Sequence, residues 1–369
     1  MKYRVNLVKT VDDSYDIEIG RKLKDVLVDD IKGGLFGRIK KFAVITDDNV
    51  LPLYAQAITD TLIKENYTAN LIVFPAGEKS KTRATKEYIE DQMLSFGYRR
   101  DCAVIAVGGG VVSDVAGFVA GTFARGVPFV NYATSLLAAA DASIGGKTAV
   151  DTPMATNLIG LFNQPKKVYI DIDCWNTLPK REVYCGLAET VKHACLADEE
   201  LFEYLEEHME DILGIEETSC EHIAKANCNI KYRVVMQDER ESGLREVLNL
   251  GHTVGRAIET ASDYRLLHGE AVSIGLVAQA LLSKKMGYMD ASQVDRLIKL
   301  LDSAHLPVAV PDYIDREKLV TKLYTDKKVR DGRLRFVVQK GIGAVVCFGE
   351  NEYATPVSEK TIREIIMEM

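Results

Sequence analysis

Apolar residues in the first half of the chain form short, nearly continuous runs that are separated by stretches of helical periodicity. The runs that read as buried strands are KFAVITDDNV (41–50), NLIVFPAGEKSKT (70–82) and CAVIAVGGG (102–110). A helix is predicted over about 82–96, and another after the third run, to about residue 126. Strands that alternate with helices are typical of an open α/β sheet. The first twenty residues alternate polar and apolar side chains, which predicts further strands.

After Trp175 the pattern changes, and apolar residues recur every three or four positions to about residue 310. Helices are predicted over 184–196, 199–207, 219–238, 253–261 and 269–285. The last of these is apolar almost all round and should be buried. We therefore divide the chain at Leu178, into an α/β domain (1–178) and a mostly helical domain (179–369). Residues 326–348 predict a basic loop and two short strands around Gly341 and Gly343.

Composition narrows the class of protein. The 369 residues are 47% hydrophobic and 27% charged, which is ordinary for a soluble globular protein of about two domains. The net charge of -8 disfavours nucleic acid as a partner, and no apolar run approaches the ~20 residues of a membrane span. The N-terminus does not resemble a signal peptide, and seven cysteines without a C-x-x-C pair indicate reduced thiols. We expect a cytoplasmic protein with its cysteines in the core.

The glycines at 108–110, between a strand and a helix, are the clearest candidate phosphate cradle. Glycines let the backbone approach a pyrophosphate, and a helix N-terminus offers free N–H groups. A tight turn without a ligand would explain the same residues, and the G-x-G-x-x-G fingerprint is absent. Two other strand ends carry polar groups, namely Asp47 with Asn49 and Glu78 with Lys81. Because ligands bind at the carboxyl ends of strands in an open sheet, we predict a dinucleotide site here.

A metal site is suggested by His252 and His268, each at the start of a predicted helix. A catalytic divalent metal often takes two histidines and one carboxylate. Glu189 is the best third ligand, because it interrupts a small and apolar helical segment. The alternative is that the histidines only end helices and that Glu189 pairs with Lys192, three residues later.

Residues 129–171 are dense in side chains that bind ligands. Asp141, Lys147 and Asn157 stand among small residues and glycine turns, although a solvated loop would look the same. The GGKT quartet is not a P-loop, since Asp141 occupies the position of the first glycine. Further polar residues lie near the metal candidates in sequence, and these are Lys231, Arg245, Asn249 and Arg256.

Taken together, these segments resemble the 3-dehydroquinate synthase family. The matching strings are GGGVVSDVAGF, DASIGGKT, NLIG, GLAETVKHA, DERESGLREVLNLGHTVG, LHGEAVSIGL and DKKVRDGRLRFVV. They run from about residue 41 to 340 in the family's order. The resemblance implies a Rossmann-like NAD-binding domain followed by a helical metal- and substrate-binding domain.

The resemblance also implies roles for individual residues. Zn²⁺ or Co²⁺ would be bound by Glu189, His252 and His268. NAD⁺ would be contacted by Asp47, Asn49, Glu78, Lys81, Gly109, Gly110, Asp114, Thr134, Ser135, Lys147, Thr156 and Thr177. An anionic sugar phosphate would be held by Asp141, Lys147, Asn157, Lys192, Lys231, Arg245, Asn249, Arg256 and Lys327. Arg125 would reach the neighbouring subunit's site in a homodimer.

The implied reaction converts 3-deoxy-D-arabino-heptulosonate 7-phosphate (DAHP) into 3-dehydroquinate and phosphate, with NAD⁺ used catalytically. Two positions depart from the family pattern: Thr156 replaces a lysine and Arg256 replaces a histidine. Arginine can clamp a phosphate but cannot shuttle a proton near pH 7. These departures leave open a related sugar-phosphate cyclase, such as one that takes an amino analogue of DAHP. A metal-dependent polyol dehydrogenase and a non-catalytic NAD-binding protein are further alternatives, but Glu189 and the anion-binding lysines argue against the first, and the three intact candidate metal ligands argue against the second.

Overall fold

The computed structural model describes residues 1–8, 10–323, 329–330 and 333–369. The strands are β1 (Asp16–Gly20), β2 (Lys41–Asp47), β3 (Thr68–Phe74), β4 (Cys102–Gly108), β5 (Phe129–Ala133), β6 (Lys147–Thr152), β7 (Ala155–Phe162), β8 (Lys167–Asp171), β9 (Val329–Arg330), β10 (Arg333–Val337) and β11 (Ala354–Pro356). The α-helices are α1 (Leu23–Lys32), α2 (Gln56–Lys64), α3 (Arg83–Ser95), α4 (Gly110–Thr122), α5 (Lys180–Ala197), α6 (Glu199–Leu213), α7 (Glu217–Gln237), α8 (His252–Ala261), α9 (His268–Lys285), α10 (Ala291–Ser303), α11 (Arg316–Leu323) and α12 (Glu359–Glu368).

Six parallel strands form the central sheet, in the order β1-β8-β5-β4-β2-β3. Every residue of β4 and β5 is buried, because helices cover both faces of the sheet. Leucines and isoleucines of α1 and α2 pack on one face, and α3 and α4 pack on the other. The antiparallel hairpin β6–β7 lies outside this sheet and carries Lys147 and Asn157. All six strands end at the same edge, where ligands bind in open α/β sheets.

The second half is built around α9, which is buried along almost its whole length and packs against α5, α8, α10 and α12. Two glycines of α9 permit very close contacts. A side-chain Cβ at Gly269 would collide with the carbonyl oxygen of Cys185 in α5, and one at Gly275 would collide with that of Gly251. The starts of α8 and α9 and the middle of α5 are therefore held together by main-chain contact.

The structure confirms the predicted α/β fold, with a parallel sheet followed by a helical region. Most predicted helices end within a few residues of those observed, but α6 continues to Leu213, past its predicted end at residue 207, and α1 and α2 were not predicted. The expectation of strands throughout the first twenty residues was wrong outside β1. In the part of the chain described before β1, side chains such as Tyr3 and Leu7 are exposed, and no neighbouring strand pairs with them. Of the two short strands expected around Gly341 and Gly343, the first is β10, whereas the described residues after Gly343 form only a bridge between Gln339 and Val345.

Six of the seven cysteines are buried, and only Cys347 is exposed, so most of them do fill the core as predicted. Among the described residues, none of the helices combines the length and apolar character that a transmembrane span requires.

Candidate active site

A cleft of ≈ 1150 Å³ lies between the carboxyl edge of the sheet and the helical half. Its walls include Gly109 and Asp114 on the sheet side, Lys147 and Asn157 on the hairpin, and His268 on the helical side. The glycine turn, the hairpin and the metal candidates, which are far apart in sequence, therefore share one cavity.

Glu189, His252 and His268 meet at the inner wall of this cleft. Glu189 lies in the middle of α5 and is fully buried, whereas the two histidines are the first residues of α8 and α9. The Oε1 atom of Glu189 lies 3.5 Å from Nε2 of His252 and 3.3 Å from Nε2 of His268. One ligand atom from each residue lies within 4.8 Å of the others, so a single ion fits between them.

The hydrogen bonds of these residues suit a catalytic zinc or cobalt ion. Oε2 of Glu189 forms an ion pair with Lys192, whereas Oε1 faces the two histidine rings and has no hydrogen-bond partner in the described part of the chain. Nδ1 of His252 lies 3.1 Å from the carbonyl oxygen of Leu250, and Nδ1 of His268 lies 3.3 Å from Oε2 of Glu259. Nε2 of each ring is thus left for the ion, and three protein ligands leave a position for substrate.

Burial lowers the pKa of His252 well below its usual value, so this ring stays neutral, as a metal ligand must be. Burial alone would also lower the pKa of His268, but the carboxylates of Glu259 and Glu189 raise it to about 10. Burial raises the pKa of Glu189, and the ammonium group of Lys192 more than offsets this, so that the pKa falls below its usual range. A cation bound here would therefore compete with a proton on His268.

Buried lysines adjoin the metal candidates. Lys192 forms an ion pair with Glu189 and lies 3.8 Å from Oδ1 of Asp141. Lys231, on α7, donates to both the carboxylate and the carbonyl oxygen of Asp141. Burial raises the pKa of Asp141, but Lys192 and Lys231 bring it well below its usual value. The structure thus contains the Glu189–Lys192 ion pair beside the two histidines. The ion pair and the metal site, which the sequence presented as alternatives, are therefore compatible.

Arg245 and Lys147 add further positive charge to the cleft. Arg245 is 1% exposed and donates from Nη2 to the carbonyl oxygen of Gly145 at 2.8 Å. Nζ of Lys147 lies 2.6 Å from Oε2 of Glu241, while Oε1 of Glu241 accepts a 2.6 Å hydrogen bond from Asn249. Desolvation in the cleft lowers the pKa of Lys147 to about 8, against the attraction of Glu241. The Glu241 carboxylate thus connects Lys147 and Asn249, two residues that are candidates for binding the substrate.

The loop that presents Glu241 and Arg245 is fixed by Asp238. Its carboxylate accepts hydrogen bonds from the backbone N–H groups of Ser242 (2.9 Å), Gly243 (2.8 Å) and Arg245 (3.0 Å). Burial raises the pKa of Asp238, but these three donors lower it to about 2. Because three N–H groups of the loop donate to the Asp238 carboxylate, this residue fixes the conformation of the loop.

The sheet side of the cleft fits a dinucleotide. No side chain caps the N-terminus of α4, and a Cβ at Gly109 would lie 3.2 Å from Oγ of Ser135, so glycine keeps the turn open. Beside it, Nζ of the buried Lys81 lies 2.5 Å from Oδ2 of Asp114 and 3.5 Å from Oε1 of Glu78. The cleft is also lined by the remaining candidates Asp47, Asn49, Gly110, Thr134, Thr156, Asn157, Thr177 and Arg256.

Among the predicted residues that the structure describes, Glu189, Lys192 and Arg125 are not part of the cavity lining, and the first two are fully buried at the candidate metal site. Arg125 is exposed and is absent from the cavity lining. It lies in a turn in which Ala124 (φ 51°), Arg125 (φ 71°) and Gly126 (φ 108°) all adopt the left-handed region. Such a conformation is unfavourable for the first two residues and holds the Arg125 backbone outward. Lys327 lies outside the described residues.

The sequence analysis overlooked several acidic residues of the cleft, and three of them contact candidate site residues. Glu259 contacts His268, Glu241 bridges Lys147 and Asn249, and Asp151 accepts a 2.7 Å hydrogen bond from the Asn157 N–H. Helical spacing could have revealed Glu259, because it lies seven residues after His252 on the same face of α8. No comparable signal marks Glu241, whose partner Lys147 comes from a distant hairpin.

A parallel α/β sheet that opens onto a two-histidine, one-carboxylate group defines a class of metal-dependent enzymes that bind a dinucleotide. Family models place the chain within this class: the 3-dehydroquinate synthase N-terminal family matches residues 71–185 and the C-terminal family matches residues 186–329. The 3-dehydroquinate synthase of Thermoanaerobacter pseudethanolicus is 44% identical over 307 residues, which is 83% of this chain and 86% of the relative. That of Pelobacter propionicus is 44% identical over 341 residues, 89% of this chain and 94% of the relative. The chain belongs to the 3-dehydroquinate synthase family.

Solved structures share the fold over nearly the whole chain. The 2-epi-5-epi-valiolone synthase ValA of Streptomyces hygroscopicus, with NAD⁺ and Zn²⁺ bound, superposes with a TM-score of 0.87 at 27% identity and 99% coverage of both chains. A 2-deoxy-scyllo-inosose synthase in complex with carbaglucose-6-phosphate, NAD⁺ and Co²⁺ gives 0.85 at 25% identity, covering 95% of this chain and 96% of the other. A probable glycerol dehydrogenase of Sinorhizobium meliloti gives 0.65 at 16% identity, with 96% and 95% coverage, and shares the fold alone.

Proposed function

We propose that this protein is a 3-dehydroquinate synthase, which converts DAHP into 3-dehydroquinate and phosphate with catalytic NAD⁺ and a Zn²⁺ or Co²⁺ ion. The observation that carries the proposal is that the Glu189, His252 and His268 group shares its cleft with buried Lys231 and Arg245. A substrate with a carboxylate, a phosphate and several hydroxyl groups needs both features. The 44% identity to two 3-dehydroquinate synthases supports the same activity.

In this proposal residues 1–178 form the NAD-binding domain and residues 179–369 the metal- and substrate-binding domain. Glu189, His252 and His268 would hold the metal, and the glycine turn with Glu78, Lys81 and Asp114 would hold NAD⁺. When bound, NAD⁺ supplies a reversible hydride acceptor and the metal polarises substrate hydroxyl groups.

The protein's own residues would chiefly bind and orient the substrate. Lys147, Arg245 and Arg256 would bind its anionic groups, and Asn157 and Asn249 would hydrogen-bond to it; Asp141, Lys192, Lys231 and Lys327 complete the proposed set. An arginine side chain does not act as a proton-transfer group near neutral pH, so the role of Arg256 would be electrostatic. Glu241 occupies the position between Lys147 and Asn249, and an anionic group of the substrate would have to displace it.

We also propose a cytoplasmic homodimer in which Arg125 completes the site of the partner subunit. The left-handed backbone at Ala124 and Arg125 supports this role, because strain of this kind persists where it serves a function. The seven free cysteines agree with a reducing compartment.

The decisive experiment incubates the zinc-loaded protein with DAHP and NAD⁺ and follows phosphate and the carbocyclic product together. Equal amounts of phosphate and 3-dehydroquinate, with no net NADH, are expected. Neither product, from a protein that still binds NAD⁺ and zinc, would refute the proposed activity.

A related sugar-phosphate cyclase is the second candidate, because Thr156 and Arg256 both line the cleft at positions where the chain departs from the family pattern. It would be tested with an amino analogue of DAHP and with other seven-carbon sugar phosphates. Net NADH production with glycerol would instead indicate a polyol dehydrogenase.

A further inference from the structure

Glu259 lines the cleft from the last turns of α8 and contacts one of the candidate metal ligands. Its Oε2 atom lies 3.3 Å from Nδ1 of His268, and its side chain is 12% exposed. Residues 252 and 259 lie on one face of the helix because seven residues make two turns. Helix α8 thus supplies one ligand, His252, and a carboxylate directed at another.

We propose that Glu259 is a positioning residue that accepts a hydrogen bond from Nδ1–H of His268 and so directs Nε2 of this ring at the metal. This inference rests on the metal site of the proposed function. An imidazole that carries its proton on Nδ1 has its lone pair on Nε2, and the acceptor at Nδ1 also fixes the orientation of the ring.

The two histidines differ in what holds them. His252 is fixed by the main-chain carbonyl of Leu250, which no side-chain substitution removes. His268 is 29% exposed, and among the described residues its Nδ1 atom has only the Glu259 carboxylate as a partner. The orientation of His268 therefore depends on a single side chain.

A purely electrostatic role for Glu259 is the main competing explanation, since the charges of Lys81 and Arg256 also act on it. The two roles predict different effects of Glu259→Gln. Glutamine keeps an oxygen acceptor but has no charge, so it should rescue a positioning role in part and an electrostatic role not at all.

The test measures zinc affinity by chelator competition and the visible absorption bands of the Co²⁺-loaded protein. Glu259→Ala and Glu259→Met both remove the acceptor and should weaken zinc binding by ~10- to 100-fold, the usual effect of losing such a partner. The Co²⁺ bands of both variants should shift. The zinc affinity and Co²⁺ bands of Glu259→Gln should lie between those of these variants and those of the unmodified protein. Glu182→Gln removes another carboxylate of the cleft and should stay within about threefold of the unmodified protein, and His268→Ala provides the limit of a lost ligand.

Unchanged zinc affinity and Co²⁺ bands in Glu259→Ala or Glu259→Met would overturn the positioning role. A Glu259→Gln variant that binds zinc as weakly as these two variants would also overturn it. If one of the two acceptor-free variants does not fold, the other decides. Absence of zinc binding by the unmodified protein would instead overturn the metal assignment of the proposed function, and the same titration reveals it.

Discussion

Replacing Asp238 with asparagine should lower both the free energy of unfolding and kcat/KM. The Asp238 carboxylate is 8% exposed and accepts three backbone hydrogen bonds that order the loop before Arg245. These bonds hold its pKa at about 2, against a usual value of 3.8. At ~1.4 kcal/mol for each pH unit, this difference corresponds to about 2 kcal/mol of stability. Asparagine has no charge and only one oxygen, so it should lose most of that contribution.

The sign of the pH dependence follows from the lowered pKa. The contribution is fully present above pH 4 or so and is lost as the pH falls toward 2, so about half of it should remain at pH 3. Urea unfolding at pH 7 should therefore show Asp238→Asn to be less stable by about 2 kcal/mol, with a smaller difference at pH 3. The variant should also lose kcat/KM, because Arg245 is no longer held.

Asp290→Asn is the matched control. Asp290 caps α10 by accepting the N–H of Gln293 and does not line the cleft, and asparagine is an equally good N-cap, so its replacement should cost less than about 0.5 kcal/mol and leave kcat/KM unchanged. A loss below about 0.5 kcal/mol for Asp238→Asn at pH 7 would refute the reasoning, as would an equal loss at pH 3.

Three further predictions concern catalysis. Arg245→Ala should fold normally but lose ~100-fold in kcat/KM for DAHP, the scale for a pre-organised charge contact, and a loss under about threefold would remove Arg245 from the site. Because the pKa of Lys147 is lowered from 10.5 to about 8, its charge disappears as the pH rises through that value. The kcat/KM should thus fall by about tenfold for each pH unit above 8 in the unmodified protein and not in Lys147→Arg, and a parallel fall in both would contradict the assignment. Mixing inactive Arg125→Ala and His268→Ala proteins should restore roughly a quarter of the activity if Arg125 serves the neighbouring site. If activity does not recover after subunit exchange, this role of Arg125 is wrong.

The sequence predicts strands β2, β3 and β4 and singles out three candidate metal ligands that the structure brings together, because both depend on local patterns. Buried strands are continuous apolar runs, and His252 and His268 each follow a change in periodicity that marks a helix start. Glu189 stands out as an acid in an otherwise apolar helix. These signals need no knowledge of distant contacts.

The remaining features depend on which segments meet. Glu241 lies in a polar loop, and nothing in that loop indicates that it faces Lys147, which comes from a hairpin 94 positions earlier. The contact between Lys231 and Asp141 likewise requires α7 to cross below the glycine-rich segment. The expected strands before β1 failed for the opposite reason, since an alternating pattern forms a strand only beside a partner.

The close packing at Gly269 and Gly275 allows the arrangement of the candidate metal ligands and the shape of the substrate cleft to change independently in evolution. Close main-chain contacts at Gly269 and Gly275 hold the helices that carry the three candidate metal ligands, and these contacts do not involve the side chains that line the cleft. Thr156 and Arg256 instead contribute side chains to the cavity wall. A lineage can therefore exchange residues such as these and acquire a new substrate while it inherits the same metal chemistry.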